Sequence, residues 1–325
     1  MRRVSAPSAV DGASAPHTLY GATMGTRWRV DLVAPRAFAL DPLHAAVQAR
    51  LDAIVAQMSS WEPDSDLSRF NRAAAGTWHR LQDDFYRVMA CALQVAQASD
   101  GAFDPAIGRL VAAWGFGAQA GARQAPGPGA LARAREACGW RRLALCQQAR
   151  ELLQPGGVAL DLSAIAKGHG VDAIVELLQA RGIDAALVEV GGELRGFGRK
   201  PDGTPWRVLV ESGHDDDAEP CVVTLDDAAI ATSGPYWQHY AAGGRIVSHT
   251  IDPRSGLPVA DPPAATSVLA PSAMLADAWS TALAVMGLEG GLAFAQAQGF
   301  AVRMLPAGRG AQPRTSAAFD TRLAT

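Results

Sequence analysis

A chain of 325 residues, 49% hydrophobic and 19% charged, is long enough to bury a full core in one large domain or two ordinary ones. Its 29 basic and 32 acidic residues, a formal net charge of -3, exclude the basic footprint that nucleic-acid binding requires. Four cysteines, Cys91, Cys138, Cys146 and Cys221, show no CxxC or His-Cys spacing, so neither a zinc site nor a disulfide framework is expected.

Residues 1–18, rich in Ala, Ser and Pro, read as a flexible N-terminal segment. Met1-Arg2-Arg3 lacks the apolar stretch of a secretory signal, and the first cysteine, Cys91, comes too late for a lipid anchor. The expected location is cytoplasmic as written, or periplasmic if the true start carries a signal. No apolar run approaches the ~20 residues that cross a bilayer, so no membrane span is expected.

Thr26 to Val33 alternates as a strand. Asp41-Pro42 predicts a helix start, and Leu43, Val47, Leu51, Ile54, Val55 and Met58 then recur at helical spacing. The segment from Trp61 to Asn71 reads as a polar loop, followed by a helix from about Asp84 to Ala98 that stops at Asp100-Gly101. Residues 117–130 form a low-complexity loop. From Val158 the pattern is strand (158–162), helix (165–179) and strand (185–190). Short strands follow near 194–199, 205–211, 220–225, 228–232, 245–251 and 266–270. Helices at 272–286 and 289–298 precede a last strand at 300–305. Strands outnumber helices and many are neighbours in sequence, which predicts an α+β fold: one interwoven domain with antiparallel-rich sheets and packed helices.

Within the helix at 272–286, Asp277 and Thr281 are polar in a segment apolar on almost every side. Four residues apart, they share one face. A lone buried carboxylate costs several kcal/mol or surrenders its charge, and a hard cation such as Mg2+ satisfies both oxygens. A helix-start aspartate beside a core threonine is the competing reading.

The segment Asp161-Leu-Ser-Ala164-Ile-Ala-Lys167-Gly168-His-Gly170 also carries two readings. Gly168-x-Gly170-x-x-Ala173, with Glu189 twenty-one residues past Gly168, matches a dinucleotide fingerprint and points to a nicotinamide oxidoreductase. Ser163 to Lys167 intervene, however, where that fingerprint needs a tight turn. Alternatively, the segment closes over a ligand. The carbonyl of Ala164 then completes a Mg2+ shell, and Lys167 meets an anion as a point charge.

Seven motifs in order give the chain a resemblance. Met24-Gly25-Thr26, Ala102-Phe103-Asp104-Pro105, Asp161-Leu-Ser-Ala-Ile-Ala-Lys167-Gly168, Val190-Gly-Gly-Glu193, Ala231-Thr-Ser-Gly234, Ser248-His249-x-Ile251-Asp252-Pro253-x-x-Gly256 and Ala276-Asp277-Ala-x-x-Thr281 together resemble the ApbE family of FAD:protein FMN transferases, formerly called thiamine biosynthesis lipoproteins. The resemblance covers residues 20–306. It implies an ApbE-like, T-fold-like α+β transferase domain over 19–306, with 307–325 as a C-terminal tail. Such a domain holds FAD with Mg2+ (or Mn2+) at its pyrophosphate. It passes the FMN half to a Ser or Thr hydroxyl of a target flavoprotein and releases AMP. By the same resemblance Met24, Trp61, Ala102, Phe103, Asp104, Asp161, Lys167 and Ile251 contact FAD, while Ala164, Asp277 and Thr281 hold the metal. His249 is the candidate general base, because histidine is the side chain that ordinarily titrates near working pH, against a structural role as a hydrogen-bonded residue. An FAD pyrophosphatase or a non-catalytic FAD binder would use the same site. Pro235 follows Gly234 where the family commonly has an acidic or small polar residue.

Overall fold

A computed structural model describes residues 14–118, 120–121, 123–210, 221–234, 239–242, 245–308 and 310–324. Pro235 and residues 1–13 of the expected N-terminal segment lie outside the described residues. In chain order the first half contains β1 (Ser14–Thr23), β2 (Thr26–Pro35), α1 (Leu40–Met58), α2 (Asp66–Arg72), β3 (Thr77–Arg80), α3 (Asp83–Ala98), α4 (Gly108–Ala113), α5 (Pro128–Glu136), β4 (Ala144–Cys146), β5 (Glu151–Gln154) and α6 (Ala166–Ala180). The second contains β6 (Ala186–Val190), β7 (Glu193–Phe197), β8 (Trp206–Val210), β9 (Cys221–Leu225), β10 (Ala228–Ser233), β11 (His239–Ala242), β12 (Arg245–Ser248), β13 (Ile251–Asp252), β14 (Leu257–Pro258) and β15 (Ala265–Ala270). It closes with α7 (Ala273–Gln298), β16 (Ala301–Leu305), β17 (Arg314–Thr315) and α8 (Ala317–Asp320).

The spine is an eight-stranded sheet in the order β1-β2-β6-β7-β10-β15-β16-β17, and each of its described pairings is antiparallel. Alternation along the strands separates two apolar faces. Val30, Leu32, Ala186, Val188 and Val190 pack under α1 and α6, whereas Ala185, Ala228 and Ile230 face the β8–β9 hairpin. The long excursion between β2 and β6 supplies the helices of the first face. Across that face α7 packs on β10, β15 and α6. Full burial of each aliphatic side chain here stabilises by roughly 1.5–3 kcal/mol, so the α1 residues Leu43, Val47, Leu51 and Ile54 are a strong anchor.

The α+β expectation holds, and several elements differ from their sequence reading. No strand forms at 158–162 beyond a single parallel bridge from Ile107 to Ala159. Asn71 brackets Leu160 with both ends of its amide, donating to the Leu160 carbonyl at 3.0 Å and accepting from its N–H at 2.7 Å. The fingerprint reading fails for the same region: Gly168 and Gly170 lie inside α6 rather than in a strand-to-helix turn, and the sheet is antiparallel. Part of the expected loop 61–71 is the helix α2, capped by Ser65, whose Oγ accepts from Ser68 N–H at 2.9 Å.

The termini also depart from expectation. Residues 14–18 of the expected flexible segment are already paired in β1. Within 307–325, β17 extends the sheet, α8 plants Phe319 in the core beneath β8 and β9, and Thr224 N–H donates to the Arg322 carbonyl at 3.0 Å. α7 is broken at Gly287 (φ 75°, ψ 175°), which matches the two helices expected at 272–286 and 289–298. By length and mean hydropathy (1.2 over its most apolar window) it would cross a membrane, but 56% of that window is buried in the molecule, as befits a core helix.

Phe319→Ala should remove the anchor of the C-terminal segment and lower the unfolding free energy by about 3–5 kcal/mol, read by urea denaturation. A loss under about 1 kcal/mol would mean that the segment merely rests on the domain.

Candidate functional site

The site forms where the first turn of α6 meets the first turns of α7. Gly168 makes the approach: a Cβ there would sit 2.2 Å from the carbonyl oxygen of Ala273 and 2.8 Å from Met274 Cα. At this contact the Gly168 N–H donates to Asp277 Oδ2 at 3.0 Å. Ile165, the N-cap of α6, contributes no side-chain cap, so Asp277 takes one of the N–H groups that a helix start leaves unsatisfied. Ala164 lies in the turn just before α6, where the N–H groups of Ile165 and Ala166 both donate to the Leu162 carbonyl. Thr281, one turn beyond Asp277, shares its hydroxyl with Ser233 Oγ at 2.9 Å, and Ser233 also meets Ser280 Oγ at 2.7 Å.

Lys167 joins this turn to the sheet. Its Nζ pairs with Glu193 Oε1, on the first residue of β7. Gly191 and Gly192 (φ 60° and 101°) make the tight β6–β7 turn, and a Cβ on Gly191 would lie 2.7 Å from Thr26 Cγ2 and 3.4 Å from Lys167 Cδ. The β1–β2 turn beside it holds Met24 at φ 49°, in the left-handed region that a side chain seldom adopts. Met24 thereby packs against both main apolar clusters, with its Cε 3.4 Å from where a Gly170 Cβ would stand.

Two acids meet one base here. Asp277 and Glu193 are buried and share one ammonium. Burial opposes the Lys167 charge, but Asp277 and Glu193 outweigh it and hold its pKa above the ordinary lysine value. Burial and the charge of Asp277 push Glu193 up to about 8 against the pull of Lys167. Burial likewise raises Asp277. Glu193 Oε2 is buried without a hydrogen-bond partner. The unpartnered Glu193 oxygen leaves an acceptor that a cation or a hydrogen-bond donor would satisfy.

Other expected residues extend the site along one path. Asp161 Oδ1 accepts from Ser163 N–H (2.9 Å) and Oγ (2.6 Å), while its Oδ2 lies 3.9 Å from where a Gly117 Cβ would stand. The ring of Phe116, next to Gly117, faces His249 edge-on at 6.3 Å and belongs to the same apolar cluster as Ile251. Ala102 and Phe103 are buried beside Asp104. Asp104 itself is turned inward: Oδ1 accepts from Ala106 N–H at 2.7 Å and Oδ2 from Trp140 N–H at 3.0 Å. Trp61 stands apart, 69% exposed, its backbone N–H on Ser59 Oγ at 3.1 Å.

Sequence reasoning left Glu193 without a role and missed Ser233 and Asp172. The last is a buried aspartate in the apolar run Val171 to Val175, the same signal that exposed Asp277. A second buried aspartate, Asp84, is fully matched by contrast. Arg50 (2.5 and 2.6 Å), Gln57 (3.2 Å) and His169 (3.0 Å) surround it, and although burial works the other way they hold its carboxyl well below the usual range.

The donor set at the α6–α7 junction is all hard oxygen. The Asp277 carboxylate, the Thr281 hydroxyl and the Ala164 carbonyl fit Mg2+, which takes one or two carboxylates and leaves positions for phosphate and water. No described group of three or more His, Cys, Asp or Glu residues offers a full protein cage.

The ApbE family model matches residues 24–304. The chain is 35% identical to the FAD:protein FMN transferase of Klebsiella pneumoniae (strain 342), over 93% of this chain and 87% of that one. It is 33% identical to the transferase of the same name from Salmonella typhimurium, over 98% and 92%. Among solved structures, the apo flavinyl transferase ApbE of Pseudomonas stutzeri superposes with a TM-score of 0.88 at 35% identity, covering 96% of this chain and 98% of that one. The flavin transferase ApbE of Vibrio cholerae gives 0.87 at 33%, covering 96% and 100%.

Two predictions test the site's physics. Gly168→Ala should part α6 from α7, costing about 1–3 kcal/mol of stability and weakening divalent-cation binding, both read on the purified protein. Burial raises the Asp104 carboxyl to about 6 against its two backbone hydrogen bonds. Because this folded-state pKa lies above the unfolded value, its contribution is full below about pH 4 and is lost as pH rises through about 6. Relative to Asp104→Asn, the wild type should therefore lose on the order of 2–3 kcal/mol across that window, measured by denaturation at several pH values.

Proposed function

The chain belongs to the ApbE family, and from that premise we propose that it transfers the FMN half of FAD to a Ser or Thr hydroxyl of a target flavoprotein, with Mg2+, releasing AMP. The observation that carries this reading is the cluster of half-buried Lys167 with buried Glu193 and Asp277 at the α6–α7 junction, two acids around one base with an unpartnered Glu193 oxygen. Asp277, Thr281 and the carbonyl of Ala164 would hold the metal, which supplies charge neutralisation on the pyrophosphate.

The remaining work falls to positioning. Lys167, tethered through Glu193, offers its ammonium to the pyrophosphate as a point charge. Met24, Phe103 and Ile251 offer apolar surface around the ligand, and exposed Trp61 has a free ring face on which a flavin or adenine packs. His249 takes the proton from the acceptor hydroxyl as its oxygen bonds to the FMN phosphorus. The P–O bond to AMP breaks, and AMP leaves with the bridging oxygen. Such a displacement needs in-line placement and charge neutralisation more than a covalent enzyme group.

The test incubates the protein with FAD, Mg2+ and a candidate flavoprotein and looks for flavin fluorescence on the denatured acceptor together with AMP. AMP without a labelled acceptor would instead indicate hydrolysis at the same site. Neither product under any divalent cation would refute the reading. Asp277→Ala should abolish transfer at limiting Mg2+, and an unchanged rate there would remove Asp277 from the metal site. His249→Ala should lower kcat by about 100-fold or more while sparing FAD affinity. Loss of FAD binding instead would make His249 structural.

A further inference from the structure

Asp172, on α6, reaches across to the start of α7. Its Oδ1 accepts from Ala273 N–H at 3.0 Å and its Oδ2 from Met274 N–H at 2.9 Å. Ser272 Oγ accepts from Leu275 N–H at 3.3 Å, so the first three N–H groups of α7 are all met by side chains. Asp277, on α7, meanwhile meets the Gly168 N–H at the start of α6. The two helices thus exchange carboxylates, each capping the other. Asp172 is in turn gripped by Arg195 of β7, with Nη1 2.6 Å from Oδ1. Arg195 stands two residues from Glu193, so one strand grips α6 twice, at Lys167 and at Asp172.

Resting on the metal reading above, we infer that Asp172 and Arg195 are positioning residues for the metal ligands. They fix the start of α7 on α6, and so hold Asp277 against the first turn of α6. Neither residue touches the metal. Both Asp172 oxygens and its charge are needed, because an amide in its place accepts at one atom only and presents donors to an N–H at the other. Partners that orient a metal ligand from behind typically govern affinity by about 10–100-fold.

Mn2+ titrated into the full chain without FAD, followed by electron paramagnetic resonance, reads this directly. Asp172→Asn should raise the Mn2+ dissociation constant about tenfold, and raise the Mg2+ needed for half-maximal transfer by a similar factor. Arg195→Gln, which leaves the caps in place, should act in the same direction by a few-fold, and it decides the matter should Asp172→Asn not fold. Arg195→Lys, which keeps the positive charge, should recover part of the affinity that Arg195→Gln loses. A folded variant with a lowered melting temperature but wild-type Mn2+ affinity overturns the inference, since a merely structural staple behaves that way. A wild-type protein that binds no Mn2+ overturns the metal site itself, and this inference with it.

Discussion

Two buried helix starts, each lending a carboxylate to the other, hold the centre of this molecule. The first N–H groups of a helix have no partner of their own, and stranding one in the interior costs about 1–3 kcal/mol. Asp277 meets Gly168 on α6, and Asp172 meets Ala273 and Met274 on α7, so neither helix can slide without breaking a bond at both ends of the exchange. Only a glycine at 168 lets the backbones come this close. The sheet then fixes the pair from beneath through Glu193 and Arg195.

Two of the buried aspartates, Asp84 and Asp277, are held in opposite ways. Asp84 is saturated by Arg50, Gln57 and His169, and its carboxyl titrates far below the ordinary range. Asp277 receives one backbone N–H, shares Lys167 with Glu193, and is pushed upward. The first arrangement is closed and the second is left short of positive charge.

Asp277 was legible in the sequence because a carboxylate in an apolar helical run has no inexpensive explanation. Asp172 gives the same signal, in a segment where Gly168 and Gly170 also fit a nucleotide-binding spacing. Elements whose stability comes from elsewhere were the hardest to read. β1 buries little beyond Leu19 and Thr23, because as the edge strand it pairs with β2 alone. α2 is seven residues long and depends on the Ser65 cap rather than on periodicity. The C-terminal segment offers one large apolar anchor, Phe319, which no pattern of period 2 or 3.6 reveals. Both oxygens of Asp104 accept from backbone N–H groups, of Ala106 and Trp140, that shape the loop carrying Phe103. Such long-range pairings, between residues 71 and 160 or 104 and 140, leave no mark in any local window.

Gly287 divides α7 mechanically. An unbroken helix of that length would be a rod of about 39 Å, and a push on its far end would be delivered to Asp277 and Thr281. With the ladder interrupted at Gly287, the stretch beyond it is a separate strut, seated on Met304 at Gly291 and tied at Glu289 to Arg314 of the C-terminal segment. The molecule therefore has a joint between its chemistry and its periphery. Substitutions past residue 287 can be absorbed by the strut's own seat, which lets that part of the surface drift while Asp277 and Thr281 stay in place.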